Sequence, residues 1–97
     1  MATYIVLGQF TDQGIRSIKD TMKRATALKD MAKKAGASVK EVYWTLGQYD
    51  IAPIVDAPDD AALTTLLLNV GALGNVRTQA LRAFSADEMG QIVNRLG

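Results

Sequence analysis

Two apolar runs meet at Gly47-Gln48-Tyr49, and that junction constrains the fold more than any other stretch. Before it, Val42, Trp44 and Leu46 alternate with Glu41, Tyr43 and Thr45, the period of a strand with two different faces. After it, Ile51 and Val55 alternate with Ala52 and Ile54. Gly47 can adopt backbone angles that other residues avoid, and the Asp50 carboxylate can accept turn N–H groups, so the junction reads as a hairpin turn. The same stretch holds the only tryptophan and two of the three tyrosines. A lone hairpin is marginal in water, so the rest of the chain has to cover this one.

The flanking segments read as follows. Thr3 to Phe10 is β-branched and aromatic, a strand with Tyr4, Val6 and Phe10 on one face and Ile5 and Leu7 on the other. A strand apolar on both faces is normally covered on both. After a turn at Thr11 to Gly14, Ile15, Ile18, Met22, Ala25, Leu28 or Lys29, Ala32 and Ala35 follow at helical spacing. The spacing predicts an irregular turn over 14–19 and a main helix from Asp20-Thr21, capped by either side chain and ending at Gly36. Strands are expected over 37–46 and 50–57. Pro53 is awkward in the second of these, because it has no N–H to give; it requires a bulge, a frayed end or a missing neighbour. Pro58-Asp59-Asp60 opens a helix over 60–72. A further strand follows over 75–84. Ser85-Ala86-Asp87-Glu88 is a capping box that starts a last helix running to about Leu96.

The order β-α-β-β-α-β plus a terminal helix is the ferredoxin-like, split βαβ arrangement of the α+β class, with a four-stranded antiparallel sheet in the order 4-1-3-2. Both main helices then lie on one face. The other face carries apolar residues of strand 1, with Ile54 or Val55 and Leu81 or Phe84 added, and an apolar face of that size marks an interface. A homodimer is expected, with two sheets packed face to face as a dimeric α+β barrel. The competing arrangement is a monomer whose last helix folds over the open face.

Composition narrows the chemistry. The 97 residues form a single domain, 1–97, and 48% hydrophobic content supplies a core. Without cysteine or histidine there is no disulfide, no thiolate or imidazole ligand, and no base for Ser-, Cys- or His-based nucleophilic catalysis. The net charge of +1 is far below that of an ordinary nucleic-acid-binding domain, so no nucleic acid is expected as a partner. The run from Ala61 to Leu73 is too short and too polar to span a bilayer, so no membrane partner is expected either. The first residues carry no positive leader region. The expectation is a cytoplasmic protein with no cofactor. The stretch 12–34 carries seven cations against three anions. Such a stretch is either a solvated helix face or a surface for an anionic partner.

Several polar residues are candidates for a ligand site. Tyr49 and Asp50 lie at the hairpin turn, where they build the turn, line the rim of a pocket, or do both. Arg77 and Arg82 lie on opposite faces of strand 4, and an arginine within a sheet needs a carboxylate or a ligand. Asp50 or Asp56 is available to pair with one, leaving the other to clamp an anion. If Tyr43, Thr45, Arg77 and Gln79 share the open face, they form its polar part. The candidate ligand-binding set is therefore Tyr43, Thr45, Tyr49, Asp50, Arg77 and Gln79. Asp56, Asp59 and Asp60 suggest a hard metal site less well than helix capping, which explains two of them; no metal is expected. Gly71-Ala72-Leu73-Gly74 ends a helix instead of opening one, unlike a nucleotide loop.

Leu46-Gly47-Gln48-Tyr49-Asp50-Ile51 resembles the signature of the GYD domain family. Tyr4 to Leu7 with Phe10-Thr11-Asp12-Gln13-Gly14-Ile15, and Gly71 to Thr78, are also similar to that family. The resemblance implies a dimeric α+β barrel and, more distantly, a likeness to the effector-binding domains of Lrp/AsnC-type regulators. Met22, where many relatives are expected to carry proline, and Pro53, at a strand position expected to be aliphatic, depart from the pattern. The resemblance carries a fold and no reaction. The functional readings are a small stand-alone homodimeric binding or sensor module, a dimeric-barrel enzyme of cofactor-free oxygenase or isomerase type using Tyr, Asp and Arg on a small hydrophobic substrate, and a structural or assembly subunit.

Overall fold

The first strand, β1, spans Ala2–Phe10 in a computed structural model that describes residues 1–97. After it come α1 (Asp12–Arg16), a 3-10 turn (Ile18–Asp20), α2 (Thr21–Lys34), β2 (Ser38–Trp44), β3 (Ile51–Ala57), α3 (Asp60–Ala72), β4 (Val76–Ala83) and α4 (Ala86–Asn94). The sheet is antiparallel in the order β2-β3-β1-β4. This is the ferredoxin-like α+β arrangement that the alternation of periods predicts.

Local chemistry explains the element ends. Thr11 caps α1 by accepting from the Gly14 N–H, and Asp59 caps α3 by accepting from the Ala62 N–H. The capping box at Ser85 is complete, its hydroxyl accepting from Glu88 N–H while the Glu88 carboxylate accepts from Ser85 N–H. Gly36, Gly47 and Gly74 have φ of 78°, 103° and 83°, the left-handed region that glycine occupies at least cost. One expectation fails here: neither Asp20 nor Thr21 caps α2. The 3-10 turn feeds straight into α2, and the Thr21 hydroxyl instead accepts from the Trp44 indole N–H at 3.0 Å.

Pro53 is accommodated in an unexpected way. It lies within β3, between β2 and β1, and β3 neither bulges nor frays there. The register with β1 is the same on both sides of it, Ile5 opposite Ile54 and Gly8 opposite Ile51, yet the two pairs between them are absent. That is the mark of one missing donor: Pro53 stands opposite Val6 with no N–H to give, and a hydrogen-bonded pair and its neighbour are lost together. The bulge is elsewhere, on β2 between Val39 and Glu41.

The core lies between the sheet and the helices α2 and α3. Tyr4, Val6, Val55 and Ala57 from the sheet meet Ala32, Leu63 and Leu66 from the helices. The opposite face of the sheet stays open. Ile5, Leu7 and Ile54 are only half-buried there, and Leu81 is exposed. Val55 and Phe84, the alternatives considered for that face, belong to the helix side. The last helix does not close the open face: no residue of α4 is buried, and Met89, Val93 and Leu96 are 51%, 52% and 72% exposed. Arg82 ties its first turn to β4 through Glu88 at 3.2 Å. No helix is long and apolar enough to cross a membrane.

Candidate functional site

The three stretches that carry the family resemblance converge on the end of β1. The Asp50 carboxylate accepts the Phe10 N–H at 2.8 Å, and the Asp50 N–H donates to Gly8 carbonyl at 2.8 Å. Next along the chain, Thr11 donates its N–H to Asn75 carbonyl and its hydroxyl to Gly74 carbonyl. Gln13 donates to the Leu73 carbonyl and the Asn75 side chain. Gly14 sits so close to this corner that a Cβ there would lie 2.0 Å from Asn75 carbonyl oxygen. The hairpin turn and the α3–β4 corner are thus stitched to the same strand end. Within the turn, Thr45 donates its hydroxyl to Tyr49 carbonyl, and Gln48 carbonyl accepts from the Gln9 amide.

On the open face beside this corner, Leu7, Gln9, Tyr49, Arg77, Thr78 and Gln79 line a hollow of about 340 Å³. Tyr49 reaches it from the turn by passing over β1, and its hydroxyl donates to Gln79 Oε1 at 3.0 Å. Arg77 lies opposite Gln9, and Gln79 opposite Leu7. Three of the six candidates are therefore brought together: Tyr49, Arg77 and Gln79. The other three are not. Tyr43 shares the face but stands opposite Ala52, near the far edge, and is 54% exposed. Thr45 and Asp50 are committed to hydrogen bonds that build the turn. Leu7, Gln9 and Thr78 join the lining without being legible beforehand, because their place depends on the β1–β4 register, which a sequence does not print.

The expected arginine pairings are also corrected. Neither Asp50 nor Asp56 meets an arginine: Asp56 takes Lys40 at 3.5 Å and the Thr3 hydroxyl at 2.7 Å. Arg82 pairs with Glu88 and stacks on Phe84, its guanidinium 4.5 Å from the ring centre. The Ser85 N–H and the Arg82 guanidinium hold the Glu88 carboxyl below its ordinary pKa. Arg77 has no ion pair, so its charge is available to an anion in the hollow. Asp59 caps α3, and Asp60 accepts from the Tyr4 hydroxyl, which that bond pushes above its ordinary pKa, with burial adding to the effect. No three acidic side chains come together. What this hollow can do chemically is hold a small anion by the Arg77 guanidinium and the remaining amide N–H groups of Gln9 and Gln79, with the Tyr49 hydroxyl orienting the Gln79 amide.

Comparison with known proteins places this arrangement. The family model for the GYD domain matches residues 4–93. A "Glutamine synthetase and cystathionine beta-lyase binding protein" of Thermus thermophilus is 29% identical over 90 residues, covering 92% of this chain and 95% of the relative. A crystal structure of the Thermus thermophilus protein TTHA0845 is 28% identical, with a TM-score of 0.57, over 89% of this chain and 96% of that one. The feast or famine regulatory protein from M. tuberculosis, in complex with L-methionine, shares the fold at a TM-score of 0.67 and 19% identity, over 89% of this chain and 52% of that one.

Proposed function

The chain belongs to the GYD domain family, and from that premise we propose that it is a binding module without chemistry of its own, a homodimer that attaches to a metabolic enzyme. One observation carries the dimer: an apolar sheet face and an apolar helix side, on α4, that nothing in the chain covers. A small domain gains stability by burying such surfaces against a second copy. Packing open face on open face would roof the hollow at Tyr49, Arg77 and Gln79, giving a small anionic ligand an enclosed seat from which to modulate the partner. The enzyme partner is argued from the Thermus relative, whose name states that it binds glutamine synthetase and a cystathionine β-lyase.

Sedimentation equilibrium of the full chain tests the dimer, and surface plasmon resonance against purified glutamine synthetase and cystathionine β-lyase tests the partner. The expected results are a two-copy particle and saturable binding to at least one of the enzymes. A monomer at every loading removes the dimer. Saturable binding to neither enzyme removes the partner.

A further inference from the structure

The two edges of the sheet differ, and from that difference we propose that the outer edge of β4 is the docking site of the enzyme partner, which adds an extended segment there as a further strand. The inference rests on the enzyme-binding reading above and names the surface that serves it. An edge strand offers a row of unpaired N–H and C=O groups, and proteins blunt the edges that are to stay free. β2 is blunted: the bulge between Val39 and Glu41 breaks its register, and Lys40 sits within it. β4 is not. Its register with β1 runs unbroken from Thr3 opposite Ala83 to Phe10 opposite Val76, and its eight residues include no glycine, proline or lysine. α4 does not pack along it.

The ladder tells which groups are free. Thr11 donates its N–H to Asn75 carbonyl at 3.1 Å, in line with the β1–β4 register, so the odd-numbered residues of β4 bond inward. The N–H and C=O groups of Val76, Thr78, Ala80 and Arg82 therefore point outward. Ala80 and Arg82 are exposed. Side chains choose the occupant. β4 carries Arg77 and Arg82 and no acid; Glu88 neutralises Arg82, and Arg77 has no ion pair. A second copy of β4 brings no carboxylate to Arg77, whereas a foreign strand can. Arg77 and Leu81, both exposed, lie four residues apart on the open face. The matching segment is extended, with a carboxylate and an apolar residue at that same spacing. In such pairing the backbone bonds supply affinity and the alternate side chains supply specificity. An arginine has five N–H donors, enough for this carboxylate and for an anion in the hollow.

Surface plasmon resonance against purified glutamine synthetase and cystathionine β-lyase, with the full chain and two variants at residue 80, tests the site. Ala80→Pro removes an outward N–H and no bond to β1, and Ala80→Val keeps that N–H. The enzyme that binds the unaltered chain is expected to bind Ala80→Val equally well and Ala80→Pro roughly tenfold or more weakly. Arg77→Gln is expected to weaken binding by roughly twofold to fivefold. Hydrogen exchange of the unaltered chain is expected to show the Thr78, Ala80 and Arg82 amides slowed by that enzyme, and this measurement decides should Ala80→Pro fail to fold by circular dichroism. Equal binding by a folded Ala80→Pro, or a complex in which those three amides are not slowed, overturns the edge and leaves the enzyme reading standing. Binding that Arg77→Gln leaves unchanged overturns the acidic match. Slowing of the same amides with protein concentration alone, without enzyme, puts a second copy on the edge and overturns the proposal. Binding of neither enzyme to the unaltered chain overturns both readings.

Discussion

Gly14 and Gly8 are both tightly surrounded, and they predict costs of different size. At Gly14 an added Cβ collides with the backbone of Asn75, which is itself pinned by the Thr11 N–H. Gly14→Ala is expected to cost about 2–3 kcal/mol, read by urea denaturation, because a backbone wall cannot yield. At Gly8 an added Cβ collides with the Cγ2 methyls of Ile51 and Val76, two β-branched side chains with little χ1 freedom, so Gly8→Ala is also expected to destabilise, though by less than Gly14→Ala because side chains yield more than backbone. Asp50 is a clamp: Asp50→Ala leaves the Phe10 N–H without its partner and is expected to cost about 1–3 kcal/mol, whereas Asp50→Asn keeps an acceptor oxygen and most of the stability. Which role Asp50 plays was legible only in part. Glycine and aspartate at a turn announce turn chemistry, but the partner, Phe10, is forty residues away in sequence. No local rule reaches that far.

Among the elements, the boundaries of α3 and the capping box of α4 are written in the sequence, because Asp59 and Ser85 act on N–H groups three residues away. The capping box also sets a pH dependence. The folded-state pKa of Glu88 lies below its ordinary value of 4.5. Its contribution is therefore in full force above that pH and disappears as pH falls through the lowered folded-state value. Carboxyl NMR of Glu88 and the helical shifts of α4 should move together in that acidic window, and Glu88→Gln should remove the link. Pro53 was recognisable as a misfit, but its solution was not. A missing donor facing β1 differs from a bulge only once the register is known. Pro53→Val should restore the two lost pairs, seen as added hydrogen-exchange protection of the residue 53 amide and its neighbours.

At the scale of the whole molecule, the chain is extended. Its radius of gyration is 14.5 Å, against about 12.5 Å for a compact chain of this length. Its extents are 52 × 30 × 18 Å. Charge placed on the uncovered surfaces separates folding from assembly: Leu81→Asp and Val93→Asp should each yield monomers in sedimentation velocity, with the sheet and the α2–α3 layer still folded by circular dichroism and no more ellipticity lost than α4 accounts for. The fold class followed from the order of periods alone, while the open-face hollow did not, because it depends on two strands and a turn meeting in register. The unburied last helix has a further consequence. A helix of nine residues with no buried side chain is too short to hold itself in water. In a self-associating protein, α4 then obeys mass action: dilution frays it and crowding of its own copies winds it. The far-UV ellipticity should rise with protein concentration, making the abundance of the protein a signal written into its own secondary structure.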